Sequence, residues 1–217
     1  MSTPLRLAIF ASGNGSNFQN ITQEILLKKL DAEVALCVTN HAEAGVLSKA
    51  KNYNIPTCVL DPTTFSDENE YTDALLAALN HAEANFIVLA GYLRKIPTAI
   101  IQAFPQRILN IHPSLLPAFG GKGMYGERVH QAVIEHGVRW TGVTVHLVDE
   151  KYDNGAIVLQ EPVPVRSDDT VHTLAARVLK MEHRIFPEAI QLFAENKIRV
   201  EGRHVMIEGK LPRGRNR

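Results

Sequence analysis

Asn110 and His112 stand two residues apart in the run RILNIHPSLLP at 107–117, whose other strand-like positions are Ile108, Leu109 and Ile111. In an extended strand, residues i and i+2 point to the same face, so an amide and an imidazole converge there on one small volume. Pro113 stops pairing immediately afterwards. That volume therefore lies at the strand's end, with Leu115 and Leu116 available to anchor the turn. A single His in an apolar run is commonly a satisfied core side chain. The Asn beside it weakens that reading, because two buried polar groups each need partners. A carboxylate is on offer in DEKYDNG at 149–155. Asp149 and Glu150 read as an ordinary polar turn, whereas Asp153, followed by Asn154 and Gly155, can turn inward onto an imidazole. An Asn, a His and a carboxylate, with no Ser or Cys in a recognisable nucleophile setting, point to direct group transfer without a covalent enzyme intermediate. Donors already in place would stabilise the tetrahedral oxyanion.

A second polar constellation is ASGNGSN at 11–17. Gly13 and Gly15 permit a tight turn, and Ser16 and Asn17 can cap the helix that follows, whose unpaired N–H groups and positive dipole end suit a phosphate. A dinucleotide would need a third Gly where Phe18 stands and an acid where the second strand ends in Asn40. No Gly-Lys-Ser/Thr follows, so this is not a Walker loop. The monophosphate of a small substrate fits better, and a capped turn that binds nothing fits GNGS taken alone equally well.

Regular alternation has to position these groups. Strand-like runs LRLAIFA, VALCVTN, TCVLD, FIVLAGY and RILNIHP are separated by helical patterns from about Ser16, over Ala44–Tyr53 and over Glu68–Ala82, which predicts βαβ units and a parallel sheet. The rhythm changes after Pro113. A Gly-rich loop, AFGGKGMYG, leads to a short helix in ERVHQAVIEHG, two strands in TGVTVHLV and AIVLQEPVPV, a long amphipathic segment from Thr170 to Phe193, and a closing hairpin in IRVEGRHVMIEG. The expected fold is α/β: an open, mostly parallel, Rossmann-like sheet with helices on both faces and a short C-terminal β-hairpin. Residues 1–217 form one domain in this reading, with a nucleotide-binding half at 1–113, a catalytic half at 114–193 and a hairpin and tail at 194–217. Chemistry is expected at the carboxyl ends of the strands.

Composition sets the outer limits. With 217 residues and 45% hydrophobic side chains the chain can bury a full core. Lys+Arg and Asp+Glu are both 23, and the one basic cluster is the tail LPRGRNR at 211–217, which argues against a nucleic-acid-binding surface. No apolar run approaches membrane-spanning length, and MSTPLRLAIF leads into a strand rather than a signal peptide, so a cytoplasmic protein is expected. Cys37 and Cys58 lie in β-like runs without metal-type spacing and read as buried, reduced thiols. No pair among the nine His residues has a convincing ligand spacing, so no metal is expected.

ASGNGSN, AGYLRKIP, ILNIHPSLLP, TVHLVDEKYDNGAIVLQ and MEHRIFPEAI, in this order and at these distances, resemble the phosphoribosylglycinamide formyltransferase family of folate-dependent purine synthesis. The resemblance runs from about Leu7 to Phe193, and several motifs in register are far more specific than any one. It implies transfer of the formyl group of 10-formyltetrahydrofolate to the amine of glycinamide ribonucleotide. By motif it makes Asn110, His112 and Asp153 the catalytic set, with Asn110 and a protonated His112 holding the oxyanion while Asp153 favours the imidazolium and relays protons. It makes Gly15, Ser16 and Asn17 the phosphate site and Glu182 the ribose-binding acid. It also makes Leu89, Arg94, Ile96 and Val148 lining of the folate pocket. Small-molecule substrates and no metal are implied, with the protein a monomer or a homodimer.

Leu89, Ile96 and Val148 would equally be core residues of any α/β protein, and Glu182 a surface helix acid. The loop GGKGMYGERVHQAV is longer than in many members, and several members carry a basic residue near the position of FSDENEY. Methionyl-tRNA formyltransferase shares HPSLLP and a Gly-rich loop but should add a C-terminal tRNA-binding domain. Formyltetrahydrofolate hydrolase should add an N-terminal regulatory domain. GNGSN favours a nucleotide substrate over both. A catalytically inactive ligand-binding module on the same fold is the alternative from another class.

Overall fold

Strand β1 (Leu5–Phe10) is buried at every position except Arg6. Burial on both faces at once demands covering layers on either side, as a parallel sheet with crossover helices supplies. β2 (Ala32–Thr39) lies parallel to β1 on one side and β4 (Phe86–Leu89) on the other. β3 (Thr57–Val59) adds to β2 and β5 (Ile108–His112) to β4, again in parallel. The computed structural model describes residues 4–209; the first three residues and 210–217, with the basic tail, lie outside it.

Helices α1 (Ser16–Leu26), α2 (Gly45–Asn52) and α3 (Glu68–His81) make the crossovers where the periodicity predicts them. α1 buries Phe18, Ile21 and Thr22 along one face. α3 is capped by Asp67, whose carboxylate accepts from the N–H groups of Asn69 and Glu70 at 2.8 and 2.9 Å. Its acidic first turn, Glu68 and Glu70, also suits the positive end of the helix. Two short elements were not expected: a 3₁₀ turn at Pro62–Thr64 and α4 (Thr98–Ala103). Neither is long enough to display an amphipathic period.

Residues 1–110 form one compact unit and 111–217 a second, so the division falls three residues before the boundary at 113 read from the sequence. The second unit holds α5 (Glu127–Glu135), an antiparallel pair β6 (Trp140–Leu147) and β7 (Ile157–Pro164), and α6 (Val171–Ala194). It ends in a separate hairpin of β8 (Ile198–Glu201) and β9 (His204–Ile207). The Thr170 hydroxyl accepts from the Thr173 N–H, and the Thr173 hydroxyl accepts from the Thr170 N–H, a reciprocal cap for the long helix. The seven-stranded sheet runs β3-β2-β1-β4-β5-β6-β7, with the strands from β3 to β5 parallel and the β6–β7 pair antiparallel. Its last strand carries Pro162 and Pro164 opposite Gly142 and Trp140. The β6–β7 register slips between Val145 and His146, a bulge of the kind that re-aims a side chain.

Cys37 is buried and Cys58 half-buried, and neither is in a disulfide. Burial pushes the Cys37 thiol up to about 12 and raises that of Cys58 as well, which disfavours the thiolate in both. Among the described residues no helix is long and apolar enough to cross a membrane.

Candidate active site

His112, at the end of β5, is 3% exposed. Its Nε2 lies 2.8 Å from the carbonyl oxygen of Phe119, which can only accept, so Nε2 carries a proton and donates it. The other ring nitrogen, Nδ1, faces Oδ2 of Asp153 at 3.6 Å. Asp153 meets a second imidazole in the same way. His146 donates from Nδ1 to the Leu147 carbonyl at 2.8 Å and turns Nε2 toward Oδ1 of Asp153 at 3.7 Å. Both separations exceed a hydrogen bond but lie within Coulombic reach. One carboxylate thus sits between two imidazoles, each with its far nitrogen fixed by main chain, so the nitrogens facing Asp153 are the ones placed to exchange protons.

Asp153 turns inward as the sequence predicts, and the local chain shows how. Its φ of +50° is left-handed, a region Asp and Asn tolerate better than most side chains. Asp149 braces the turn, accepting from the Lys151 N–H at 2.9 Å and from Nδ2 of Asn154 at 2.7 Å. Gly155 closes it where nothing else fits, since a Cβ there would lie 1.8 Å from the Leu147 carbonyl oxygen. The Gly121 N–H then donates to Oδ2 of Asp153 at 2.8 Å, tying the Gly-rich loop to the carboxylate. The turn after His112 is held from β6. The Thr144 hydroxyl donates to the Ser114 carbonyl at 2.7 Å and accepts from the Leu116 N–H at 3.0 Å.

Charge follows from this geometry. Burial pushes the His112 imidazole below its ordinary range and outweighs Asp153 and the Phe119 carbonyl, which raise it; His146 lowers it further. Asp153 thus favours the imidazolium, as expected, while burial of the ring acts against it. Desolvation of a nearly inaccessible ring is the larger of the two influences in the unliganded chain. Burial acts on Asp153 in the opposite sense, yet His146, His112 and the Gly121 N–H together hold its carboxyl below the usual range, so it remains a carboxylate.

His146 lies beside Asp153, a placement that the reading of TGVTVHLV as a plain strand passed over. It was marked by the signal that singled out His112, an imidazole inside a buried apolar run. Asn110, half-buried, is the residue of β5 paired with Leu89 of β4. Within the first unit, Leu89 and Ile96 are 6% and 3% exposed, while Arg94 is exposed. In the second, Val148 and Glu182 are half-buried, Val148 just past β6 and Glu182 on α6.

The glycine turn differs from its expected form by one position. Gly15, not Ser16 or Asn17, is the N-cap of α1, with φ +71° and no side-chain cap, and Ser16 is the first helical residue. The reason is close packing. A Cβ on Gly15 would lie 2.6 Å from Cγ2 of Val46, and the Val46 N–H donates to the Gly13 carbonyl at 3.1 Å. The turn still delivers an uncapped helix N-terminus behind β1, the arrangement that receives anions. Among the described residues no group of three or more His, Cys, Asp or Glu is arranged to hold a metal ion.

The formyl transferase family profile matches residues 5–190. The chloroplastic phosphoribosylglycinamide formyltransferase of Vigna unguiculata is 45% identical over 193 residues, covering 89% of this chain and 62% of that protein. The Bacillus subtilis phosphoribosylglycinamide formyltransferase is 37% identical over 186 residues, covering 86% of this chain and 93% of its own. Among solved structures, glycinamide ribonucleotide transformylase 1 of Symbiobacterium toebii superposes with a TM-score of 0.89 at 40% identity, over 94% of each chain. With the family profile covering most of its length and these identities extending over the same span, the chain belongs to the formyl transferase family, among the phosphoribosylglycinamide formyltransferases.

Proposed function

We propose that this enzyme transfers the formyl group of 10-formyltetrahydrofolate to the amine of glycinamide ribonucleotide, directly and through a tetrahedral intermediate, in purine synthesis. The observation that carries the chemistry is Asp153 between the proton-exchanging nitrogens of His112 and His146, 3.6 and 3.7 Å away. The neutral amine attacks the formyl carbon, and the carbonyl electron pair moves onto oxygen. The Asn110 amide donates to that oxyanion. Nδ1 of His112, unprotonated at rest, takes the proton released by the attacking nitrogen. The imidazolium so formed lies beside both the oxyanion and Asp153, and stabilises the intermediate when charge is present. The proton then passes to N10 of the folate as the C–N10 bond breaks and the carbonyl re-forms, with Asp153 and water relaying. His146 shares the carboxylate and keeps it oriented.

In this reading Gly15, Ser16 and Asn17 receive the phosphate of the ribonucleotide and Glu182 its ribose. Leu89, Arg94, Ile96 and Val148 line the folate site. Residues 1–217 act as one domain, with 1–113 serving the nucleotide and 114–193 the chemistry and folate. The substrates are small molecules and the compartment is the cytoplasm, with the protein a monomer or a homodimer; the balanced charge of the chain supports the first of these. Incubation with both substrates and mass spectrometry of the products is the test. Formylated ribonucleotide appearing in step with tetrahydrofolate is the expected result. Formate released at the same rate with or without the ribonucleotide would establish a hydrolase instead.

A further inference from the structure

Behind the glycine turn lies a buried polar chain that none of these steps uses. Ser12, two residues beyond β1, is 7% exposed, and Asn40, one residue beyond β2, is 1% exposed. The Ser12 hydroxyl donates to Oδ1 of Asn40 at 2.6 Å and accepts from the Leu93 N–H at 2.9 Å. The Ser12 N–H donates to the Gly91 carbonyl at 3.0 Å. Main chain and side chain of one residue therefore grip two points of the segment that leaves β4. Asn40 fixes the direction of the hydroxyl proton and leaves its lone pair for Leu93. The Asn40 amide is itself set by Nε2 of His41 at 3.0 Å.

The gripped segment is short and carries much. Gly91 is left-handed at φ +80°, and Tyr92 is wedged edge-on against Phe10 with ring centroids 5.2 Å apart and its hydroxyl 2.9 Å from that of Tyr71. Arg94 and Ile96 follow at once. On its other side, Ser12 lies three residues before the left-handed Gly15. The turn at 13–15 has a separate anchor in α2 through the Gly13–Val46 hydrogen bond. The segment at Leu93 is held by the Ser12 hydroxyl.

We propose that Ser12, oriented by Asn40, is a positioning residue that sets the 91–96 segment, and with it Arg94 and Ile96, in register with the phosphate turn. This rests on the reading of 91–96 as folate-facing and 15–17 as phosphate-facing. Because the turn has its own anchor, the Ser12 hydroxyl governs the folate side more than the nucleotide side. A role confined to stability would lower the melting temperature without separating the two ligands.

The test is isothermal titration of the full chain with tetrahydrofolate and, separately, with glycinamide ribonucleotide, for the wild type and for Ser12→Ala, Ser12→Cys and Ser12→Thr. Ser12→Cys keeps the shape without strong hydrogen bonds and serves if Ser12→Ala does not fold. The loss of one hydrogen bond with a donor left unsatisfied should weaken tetrahydrofolate roughly five- to thirty-fold in the Ala and Cys variants. The ribonucleotide should stay within about twofold, and Thr, which retains the hydroxyl, should restore folate binding to most of its wild-type strength. Steady-state kinetics should show the loss in the folate KM rather than in kcat. Wild-type folate affinity in both the Ala and Cys variants, or equal loss of both ligands, would overturn the proposal. A wild type that binds neither ligand would instead overturn the functional reading on which it rests.

Discussion

Asp153→Asn separates the charge of the central carboxylate from its geometry. Asn tolerates the left-handed backbone that Asp153 adopts, at φ +50°, and its amide oxygen can still accept from the Gly121 N–H. What disappears is the negative charge 3.6 Å from Nδ1 of His112, on a side chain only 12% exposed. With an effective dielectric of about 20, unit charges at that separation attract by about 4–5 kcal/mol. An imidazolium fully formed in the transition state would thus lose roughly three powers of ten in rate, and one partly formed somewhat less, so kcat should fall about 10²- to 10³-fold. Initial rates of formyl transfer at saturating substrates measure it, with circular dichroism on the same samples to show that the fold persists. The pH profile adds a second reading. His112 must be unprotonated to take the proton, and burial holds it below its ordinary range, so the acid limb of the wild-type profile lies below about pH 6.5. Removing Asp153 removes an upward influence on that imidazole, and the limb should move to lower pH. A variant with kcat within tenfold of wild type and an unmoved acid limb would refute the carboxylate's role in stabilising charge.

Gly15→Val should destabilise the fold as well as block phosphate, because its Cβ would meet Val46 at 2.6 Å on a left-handed backbone; a melting midpoint unchanged from wild type would contradict the packing described. Acidification should cost stability in two stages. His112 and His130, both held below their ordinary range chiefly by burial, contribute fully above about pH 6.5 and lose that contribution as pH falls through their folded values. Asp153, also depressed, contributes above about pH 4 and is lost below. Denaturant midpoints across pH 3–8 would show both, and His130→Gln should flatten the upper one. Activity should survive exhaustive chelation, and loss reversed by zinc would require a different mechanism.

The alternating strands and helices of the first half, the hairpin after the Gly-rich loop and the long final helix were legible because each shows its own hydrophobic period. α4 was not, since six residues following Pro97 make less than two turns. The inward turn of Asp153 could be read from the Asn154-Gly155 that follows it. The weight of burial on His112 could not, because the string shows which charges are near in sequence but not how deeply a ring is buried. Helix-cap preference favoured Ser16, yet the approach of Val46 to Gly15 decides the cap, and that approach joins residues about 30 apart. The Ser12–Asn40–Leu93 chain was hidden for the same reason, its members being brought together only when three strands align.

The two prolines at the sheet's end bear on how the molecule meets its own kind. Along an antiparallel strand, alternate residues direct their backbone groups toward the partner and away from it. The Glu161 carbonyl points at β6, since a Cβ on Gly142 would lie 2.2 Å from it. Pro162 and Pro164 therefore belong to the outward set. A strand arriving from a neighbouring molecule needs N–H donors at those positions, and proline has none to give. At this edge, recruitment of further strands into an aggregate is opposed by the covalent structure of two residues, and Arg177 of α6 already donates to the Pro164 carbonyl at 2.8 Å.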